Sequence, residues 1–368
     1  MTVDGQVARE RVMLAGYTTL GLGGPAARFI EADSDEQVIA TVRGADADGE
    51  PVLVLGGGSN LVVADEGFPG TVLRLATRGV QITAAGGGVT VAVAAGEDWD
   101  ALVARCVAEG LSGIECLSGI PGLAGATPIQ NVGAYGQEVA ETVVTVRAYD
   151  RLRDTVVTLA SADCGFGYRT SAFKRGGGAG RRAARDPAAA TGRFVVLGVT
   201  FRLARDPLSA PLRYAELARA LGAGEGGRVP LADARSAVLA LRRGKGMVLD
   251  PRDPDTRSAG SFFTNPVLDE RQFAEVERRA AARVPHFAAG DGLVKVPAAW
   301  LIERAGFGKG YPGNGSARIS SKHTLALINP GGASTASLVG LAREIRDGVR
   351  RSFGVELVSE PVLVGTEL

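Results

Sequence analysis

The stretch Ser118-Gly-Ile-Pro-Gly-Leu-Ala-Gly-Ala-Thr-Pro-Ile-Gln-Asn-Val-Gly-Ala-Tyr-Gly-Gln-Glu138 carries no charge before Glu138 and sets glycines, alanines and two prolines around one polar pair, Gln130-Asn131. A surface linker would be polar, and a core helix would not hold so many glycines. Main chain that approaches a flat or phosphorylated ligand fits this composition, because glycine lacks the Cβ that would block the approach. A second loop of the same character, Leu55-Gly-Gly-Gly-Ser-Asn-Leu-Val-Val-Ala-Asp65, follows the apolar run Pro51 to Leu55. Two such loops in one half of a chain predict one extended cofactor held between them.

The rest of the composition narrows the class. A length of 368 residues exceeds what one core fills, so two or three domains are expected. A net charge of +1 argues against a nucleic-acid or membrane-surface partner, which needs a basic face. Cys106, Cys116 and Cys164 have no CxxC spacing, and the chain holds only two histidines, His286 and His323. That pattern supplies neither a disulfide framework nor a metal centre, so no metal is expected. The beginning Met-Thr-Val-Asp-Gly-Gln lacks the basic and apolar regions of a signal peptide, and no apolar run is long enough for a membrane span. A cytoplasmic location follows as an expectation, and nothing in the sequence demands more than a monomer.

Local patterns place the elements. Arg28 to Ala32 alternates like a strand, and Ser34 opens a capping box with Gln37 ahead of the helical Val38, Ile39, Val42 pattern. Pro51 to Leu55 and Thr71 to Leu75 read as buried strands. Val89, Val91 and Val93 alternate, and Ala95-Gly-Glu-Asp98 leads into a helix whose stripe is Trp99, Leu102, Val103, Cys106 and Val107, ended by Gly110. Val143 to Tyr149, Thr155 to Leu159 and Phe194 to Leu203 read as strands, and Arg175 to Arg193 as a flexible, solvated insertion. Farther on, helices are predicted around Ala234, Val238 and Leu241, around Phe273 and Val276, from Pro297 to Gly306, and from Leu338 to a stop at Gly354. Val355 to Val364 reads as a strand, with Glu360 held extended by Pro361.

Neither glycine loop is a familiar nucleotide motif. Gly21-Leu-Gly-Gly-Pro-Ala26 matches a dinucleotide fingerprint formally, yet the residues after Pro25 alternate like a strand where a helix is needed. Gly56-Gly-Gly-Ser-Asn60 lacks the Lys-Ser/Thr of a P-loop. It is either a plain tight turn or a nest of amides for a pyrophosphate.

The Gly56 loop, the Ala95-to-Leu102 segment and the Gly119-to-Asn131 stretch together resemble the flavin-binding domain of the vanillyl-alcohol-oxidase superfamily. Within it, Tyr168-Arg-Thr-Ser-Ala-Phe-Lys174, Ala259-Gly-Ser-Phe-Phe-Thr-Asn-Pro266 and Ser359-Glu-Pro361 resemble the UDP-N-acetylenolpyruvoylglucosamine reductase family, and Pro211-Leu-Arg-Tyr-Ala-Glu-Leu217 resembles the tyrosine loop of that family's first type. The resemblance implies an α+β fold: two FAD-binding subdomains, at 1–80 and 81–225, plus a C-terminal α/β substrate-binding domain at 226–354, with 355–368 returning to the second subdomain. It implies FAD held by Leu55, Gly56, Gly57, Gly58, Ser59 and Asn60 and by Gly119, Ile120, Pro121, Gly122, Gly125, Ala126, Gln130, Asn131, Gly133 and Ala134. No histidine precedes His286, so the flavin should be free of a histidyl bond.

The implied reaction is NADPH-dependent reduction of UDP-N-acetylglucosamine enolpyruvate to UDP-N-acetylmuramate, in the cytoplasmic synthesis of peptidoglycan precursors. A hydride from flavin N5 reaches the enolpyruvyl methylene, and negative charge develops at the adjacent carbon and its carboxylate. By resemblance, Arg169 and Glu360 polarise that carboxylate and Ser261 delivers the proton. Tyr168, Lys174, Tyr214, Lys245 and Asn265 are the implied substrate-binding residues. The lysine at the UDP pyrophosphate is left open among Lys245, Lys174 and Lys322, because the spacing from Lys245 to Asp250-Pro251 departs from the family pattern. His323 is expected to be structural, and Trp99 and Trp300 to be core positions. The alternative within the superfamily is another soluble oxidase with non-covalent FAD.

Overall fold

The computed structural model describes residues 2–3, 6–175 and 191–368, so most of the expected insertion at 175–193 lies outside the described residues. The chain divides into two compact units: Met1–Met13, Pro25–Gly58 and Gly67–Val248 form the first, and Leu14–Gly24, Ser59–Glu66 and Leu249–Leu368 the second.

Two sheets build the first unit. One orders Arg9–Met13, Pro25–Ala32, Phe68–Leu75 and Val52–Leu55, with the last three strands parallel. Parallel strands need crossovers, and the helix Asp35–Asp48 supplies one. Ser34 caps that helix by accepting from the Gln37 amide at 3.3 Å, while the Gln37 side chain reaches one residue further back, to the Asp33 N–H at 3.0 Å. The second sheet is antiparallel and runs Thr155–Ala160, Val143–Asp150, Phe194–Arg205, Gly88–Ala94, Val80–Ala85, with Leu111–Ser112 pairing to Phe194–Arg205. Its inward residues Val89, Val91, Val93, Val146, Ala148, Val199 and Phe201 join the helix Trp99–Ala108 in one core. Trp99 is buried there, 5.7 Å from the Phe201 ring centroid, a core position as expected.

The helix Leu231–Gly244 belongs to this first unit, whereas the sequence placed a boundary at 225. Its buried Val238 meets Cys116, Leu212, Leu217 and Ala218. An amphipathic stripe shows that one helix face is covered, and tertiary structure decides by what.

The second unit is organised by the helix Thr335–Phe353. Leu338, Leu341, Ala342, Ile345 and Val349 fall on one buried stripe, each burial of a Leu, Ile or Val contributing about 1.5–3 kcal/mol. Ser334 caps the start and Gly354 closes the end in the left-handed region at φ 72°. Small antiparallel sheets complete the unit: Ser258–Ser261 with Ala326–Ile328 and Arg318–Ile319, and Val267–Asp269 with Leu293–Lys295 and Phe287–Ala288. Trp300 packs 5.8 Å from Phe353 in this core.

The C-terminal segment corrects the expectation twice. Only Val362–Val364 is a strand, and it pairs in parallel with Leu61–Val63 inside the second unit rather than returning to the second sheet of the first. Val355 and Leu357, just before it, are buried in the second unit's own core, which fixes where the tail can go. Among the described residues no helix is long and apolar enough to cross a membrane, and no group of three or more His, Cys, Asp or Glu could hold a metal ion.

Candidate functional site

In the first unit the two glycine loops touch. A Cβ on Gly57 would stand 2.7 Å from the Gly122 Cα, closer than real contacts allow, so neither loop could approach the other with a side chain there. The Gly122 loop is held from its other side by the turn Ala95–Asp98. The Trp99 N–H donates to the Gly122 carbonyl at 3.0 Å, the Ala124 N–H to Glu97 at 2.8 Å and the Gly125 N–H to Ala95 at 3.0 Å. Main chain of three segments therefore converges with no side chain between Gly57 and Gly122.

Downstream, the loop folds back as the hairpin Gly133–Ala134 with Gln137–Glu138. Its turn residues Tyr135 and Gly136 are both in the left-handed region, at φ 49° and 83°, the geometry of a two-residue primed turn. Buried Glu115 fixes this hairpin to the segment before the tyrosine loop. Its carboxylate accepts from the Gly113 N–H at 2.6 Å, the Ala210 N–H at 2.6 Å and Gln137 Nε2 at 2.9 Å.

The segment Gly167–Lys174 is stitched along Ile129–Gly133. Asn131 Nδ2 donates to the Gly167 carbonyl at 3.2 Å and Ser171 Oγ to the Ile129 carbonyl at 2.7 Å. Arg169 Nη2 donates to the Gly133 carbonyl at 2.9 Å, and Lys174 Nζ to Gln130 Oε1 at 2.9 Å and the Arg169 carbonyl at 3.2 Å. Arg169 itself has φ 53°, a left-handed conformation that costs a non-glycine residue about 1–2 kcal/mol. The Asn131 side chain is engaged within the protein, donating also to Glu138 Oε2 at 2.7 Å and accepting from the Ala140 N–H at 3.1 Å. Its main chain is engaged too, the N–H donating to the Pro128 carbonyl at 3.4 Å and the carbonyl accepting from Arg169 Nη1 at 3.5 Å. Tyr168, beside Arg169, is partly exposed, and the guanidinium lies 5.4 Å from its ring centroid.

Tyr214 and Lys245 come together through Tyr135, which the sequence reading passed over. The Tyr135 and Tyr214 rings meet edge to face at 5.4 Å, and Lys245 Nζ lies 5.7 Å from the Tyr135 centroid. Lys245 pairs with Glu216 at 2.6 Å. Burial pulls its ammonium down, but the Glu216 carboxylate and the neighbouring phenols outweigh that and hold it above its ordinary value. Burial also pushes the Tyr135 phenol up, so it stays neutral. An aromatic directly before a glycine, in a loop otherwise built of small residues, is the sequence signal that could have marked Tyr135.

The second unit holds Ser59, Asn60, Ser261, Asn265 and Glu360. The strand ending at Ser261 passes through Gly260 at φ 73°, and Phe262 and Phe263 behind it are buried. Phe263 bridges to Ser359, and the Glu360 N–H donates to the Phe262 carbonyl at 2.9 Å. Two residues on, the Val362 N–H donates to the Asn60 carbonyl at 2.9 Å. The backbone therefore lays Ser261, Glu360 and Asn60 on adjoining segments. Asn265 Oδ1 accepts from the Ala298 N–H at 2.9 Å, which fixes the start of the helix Ala298–Arg304. Lys322 pairs with Asp253 at 2.5 Å.

Residues 26–160 match a family described as FAD binding domain, and residues 251–364 match the C-terminal domain of UDP-N-acetylenolpyruvoylglucosamine reductase. The chain is 59% identical over 366 residues to the UDP-N-acetylenolpyruvoylglucosamine reductase of Thermobifida fusca, covering 98% of each chain. It is 57% identical over 362 residues to that of Streptomyces coelicolor, covering 96% of this chain and 90% of the relative. The crystal structure of the reductase from Thermus caldophilus superposes with a TM-score of 0.64 at 26% identity, over 98% of this chain and 99% of the other.

Proposed function

The chain belongs to the UDP-N-acetylenolpyruvoylglucosamine reductase family, and from that premise we propose how its own residues carry the reaction. It is an FAD-dependent oxidoreductase of peptidoglycan synthesis, reducing the enolpyruvyl ether of UDP-N-acetylglucosamine with NADPH as reductant. The side-chain-free contact of Gly57 with Gly122 fits a flat cofactor bound by main chain, and both histidines lie in the second unit, away from these loops in sequence. Leu55 to Gly58 and Gly119 to Ala134 would hold FAD, with Ser59 and Asn60 continuing the first loop. Bound FAD supplies the hydride for the enolpyruvyl double bond.

The protein's part is to manage charge. Reduction at the terminal methylene leaves negative charge on the adjacent carbon and its carboxylate. Arg169 stabilises that charge through a planar fork matched to a carboxylate. Glu360 shares a proton with the same carboxylate, and Ser261 Oγ–H delivers the proton that completes the lactyl ether. Tyr168, Tyr214, Lys245 and Asn265 bind the UDP-sugar, with Tyr135 bracing Tyr214 and Lys245. NADPH and the UDP-sugar react in turn, giving ping-pong kinetics. Net charge of +1 supports a protein that works without nucleic acid or a membrane surface, and we read it as a cytoplasmic monomer.

One observation carries this reading: Arg169 is bonded to the Gly133 carbonyl, inside the loop that holds the cofactor. The test is anaerobic absorbance of the FAD-loaded protein. NADPH should bleach the oxidised-flavin band, and UDP-N-acetylglucosamine enolpyruvate should then restore it. Bleaching without return would discard the substrate assignment, and an absent flavin band after adding FAD would discard the loops.

A further inference from the structure

Arg242 sits on the helix Leu231–Gly244 four residues beyond the buried Val238, on the covered stripe where an arginine is out of place. Its Nη2 donates to the Met247 carbonyl at 2.8 Å. Its Nε is buried and is the one such side-chain nitrogen or oxygen among the described residues with no hydrogen-bond partner. That atom lies beside the glycine loop: a Cβ on Gly119 would stand 3.4 Å from it, and closer still to Leu239 Cδ2 and Val248 Cγ2, at 2.7 and 3.1 Å. Gly119, at φ 72°, carries no Cβ.

The neighbouring charges do not explain the arginine. Asp100 accepts from both Arg235 guanidinium nitrogens at 2.6 and 2.9 Å and from the Gly119 N–H at 2.6 Å. Glu216 is taken by Lys245 at 2.6 Å, and Tyr135 is a neutral phenol. Three cations, Arg235, Arg242 and Lys245, thus share two carboxylates, and Arg242 is the one without an ion pair. Burial pulls its pKa below the ordinary value, yet a guanidinium keeps its proton in a protein. A part-buried cation whose Nε–H is cut off from water and unmet is expensive to keep unless something else completes it.

We propose that Arg242 is a cofactor-anchoring residue, its guanidinium taking an electron-rich oxygen of FAD beside Gly119. The proposal rests on the reading of 118–138 as a flavin loop. The oxygen belongs either to the diphosphate or to the pyrimidine edge of the isoalloxazine. A cation at the pyrimidine edge raises the flavin potential, because reduction builds negative charge there, whereas one at the diphosphate leaves it alone.

The experiment titrates FAD into the flavin-free full-length protein, with fluorescence quenching as readout, for the parent, Arg242→Met and Arg242→Lys. Arg242→Met should weaken FAD binding at least tenfold while the flavin-free protein melts no lower than the parent, since an uncompensated buried charge has gone. Arg242→Lys, which keeps the charge but loses the planar fork, should weaken it at least threefold with an unchanged flavin-free melt. A lowered midpoint potential of the bound flavin in Arg242→Met would place the contact at the pyrimidine edge, and an unchanged one at the diphosphate. FAD affinity within twofold of the parent in both variants would overturn the inference alone. A parent that takes up no FAD would overturn the flavin reading and this inference with it.

Discussion

Arg169 donates from Nη2 to the Gly133 carbonyl at 2.9 Å, so the arginine proposed to stabilise charge on substrate is anchored on the loop proposed to hold the cofactor. The link joins chemistry to cofactor placement without a flexible intermediate. Replacing Arg169 by Ala should lower the enolpyruvyl half-reaction by about 10²–10³. Flavin bleaching by NADPH should stay near the parent's rate. Stopped-flow absorbance separates the two half-reactions, and a parent-like rate of flavin reoxidation in the variant would remove Arg169 from its role.

Lys174 distinguishes positioning from binding. Its ammonium bridges Gln130 Oε1 and the Arg169 carbonyl, at 2.9 and 3.2 Å, which holds the backbone of the left-handed Arg169. Lys174→Met should therefore lower kcat by about tenfold with KM for the UDP-sugar within about threefold, the pattern of an interaction made in the transition state only. A large rise in KM with unchanged kcat would instead assign Lys174 to the substrate phosphates.

How much of this was legible in the sequence depended on whether a residue's partner was local. The Ser34 cap, the Gly354 stop and the stripe Leu338 to Val349 follow from spacing alone, and each is in the structure. The glycine loops were visible because their composition admits few other uses. Arg9–Met13, mostly exposed, had no apolar alternation to betray it as a strand. The roles of Asn131 and Lys174 inside the protein were hidden as well, because the polar groups are plain in the sequence while their partners lie dozens of residues away. Arg242 gave one unused signal, an arginine in register with Ala234 and Val238.

Contact between the glycine loops makes Gly57 intolerant of any side chain. Gly57→Ala would put a Cβ 2.7 Å from the Gly122 Cα, and backbone cannot rotate aside. The loops should move apart, destabilising the protein by about 1–3 kcal/mol. FAD affinity should fall by at least about tenfold, from lost preorganisation of the cradle. Thermal melts with and without FAD check both effects, and a variant with parental FAD affinity would show that the loop contact does not shape the cofactor site.

The cysteines should be chemically silent. Burial pushes the Cys106 and Cys116 thiols up to about 12 and the Cys164 thiol up to about 11. The thiolate is the reactive form, and at pH 8 its fraction is on the order of one in a thousand or less. A thiol-reactive disulfide reagent at that pH should find no reactive cysteine in the native protein and all three in denaturant. Rapid labelling of one native thiol would mean that its surroundings open.

Asp100 gives the acid limb of stability a specific source. Burial alone would raise its carboxyl, but the Arg235 hydrogen bonds and the Gly119 N–H outweigh burial and hold it below the usual carboxylate range. A carboxyl whose pKa is lower folded than unfolded favours the folded state where it is ionised in both. Its contribution is therefore complete above the unfolded value of about 4, and it is lost as pH falls through the folded value. Asp100→Asn removes the charge but keeps an oxygen for the Gly119 amide. The urea midpoint of the parent should exceed that of the variant at pH 6, and the gap should close as pH drops below about 4. A gap of constant size down to acid pH would show that Asp100 acts through shape and hydrogen bonding, with no contribution from its charge opposite Arg235.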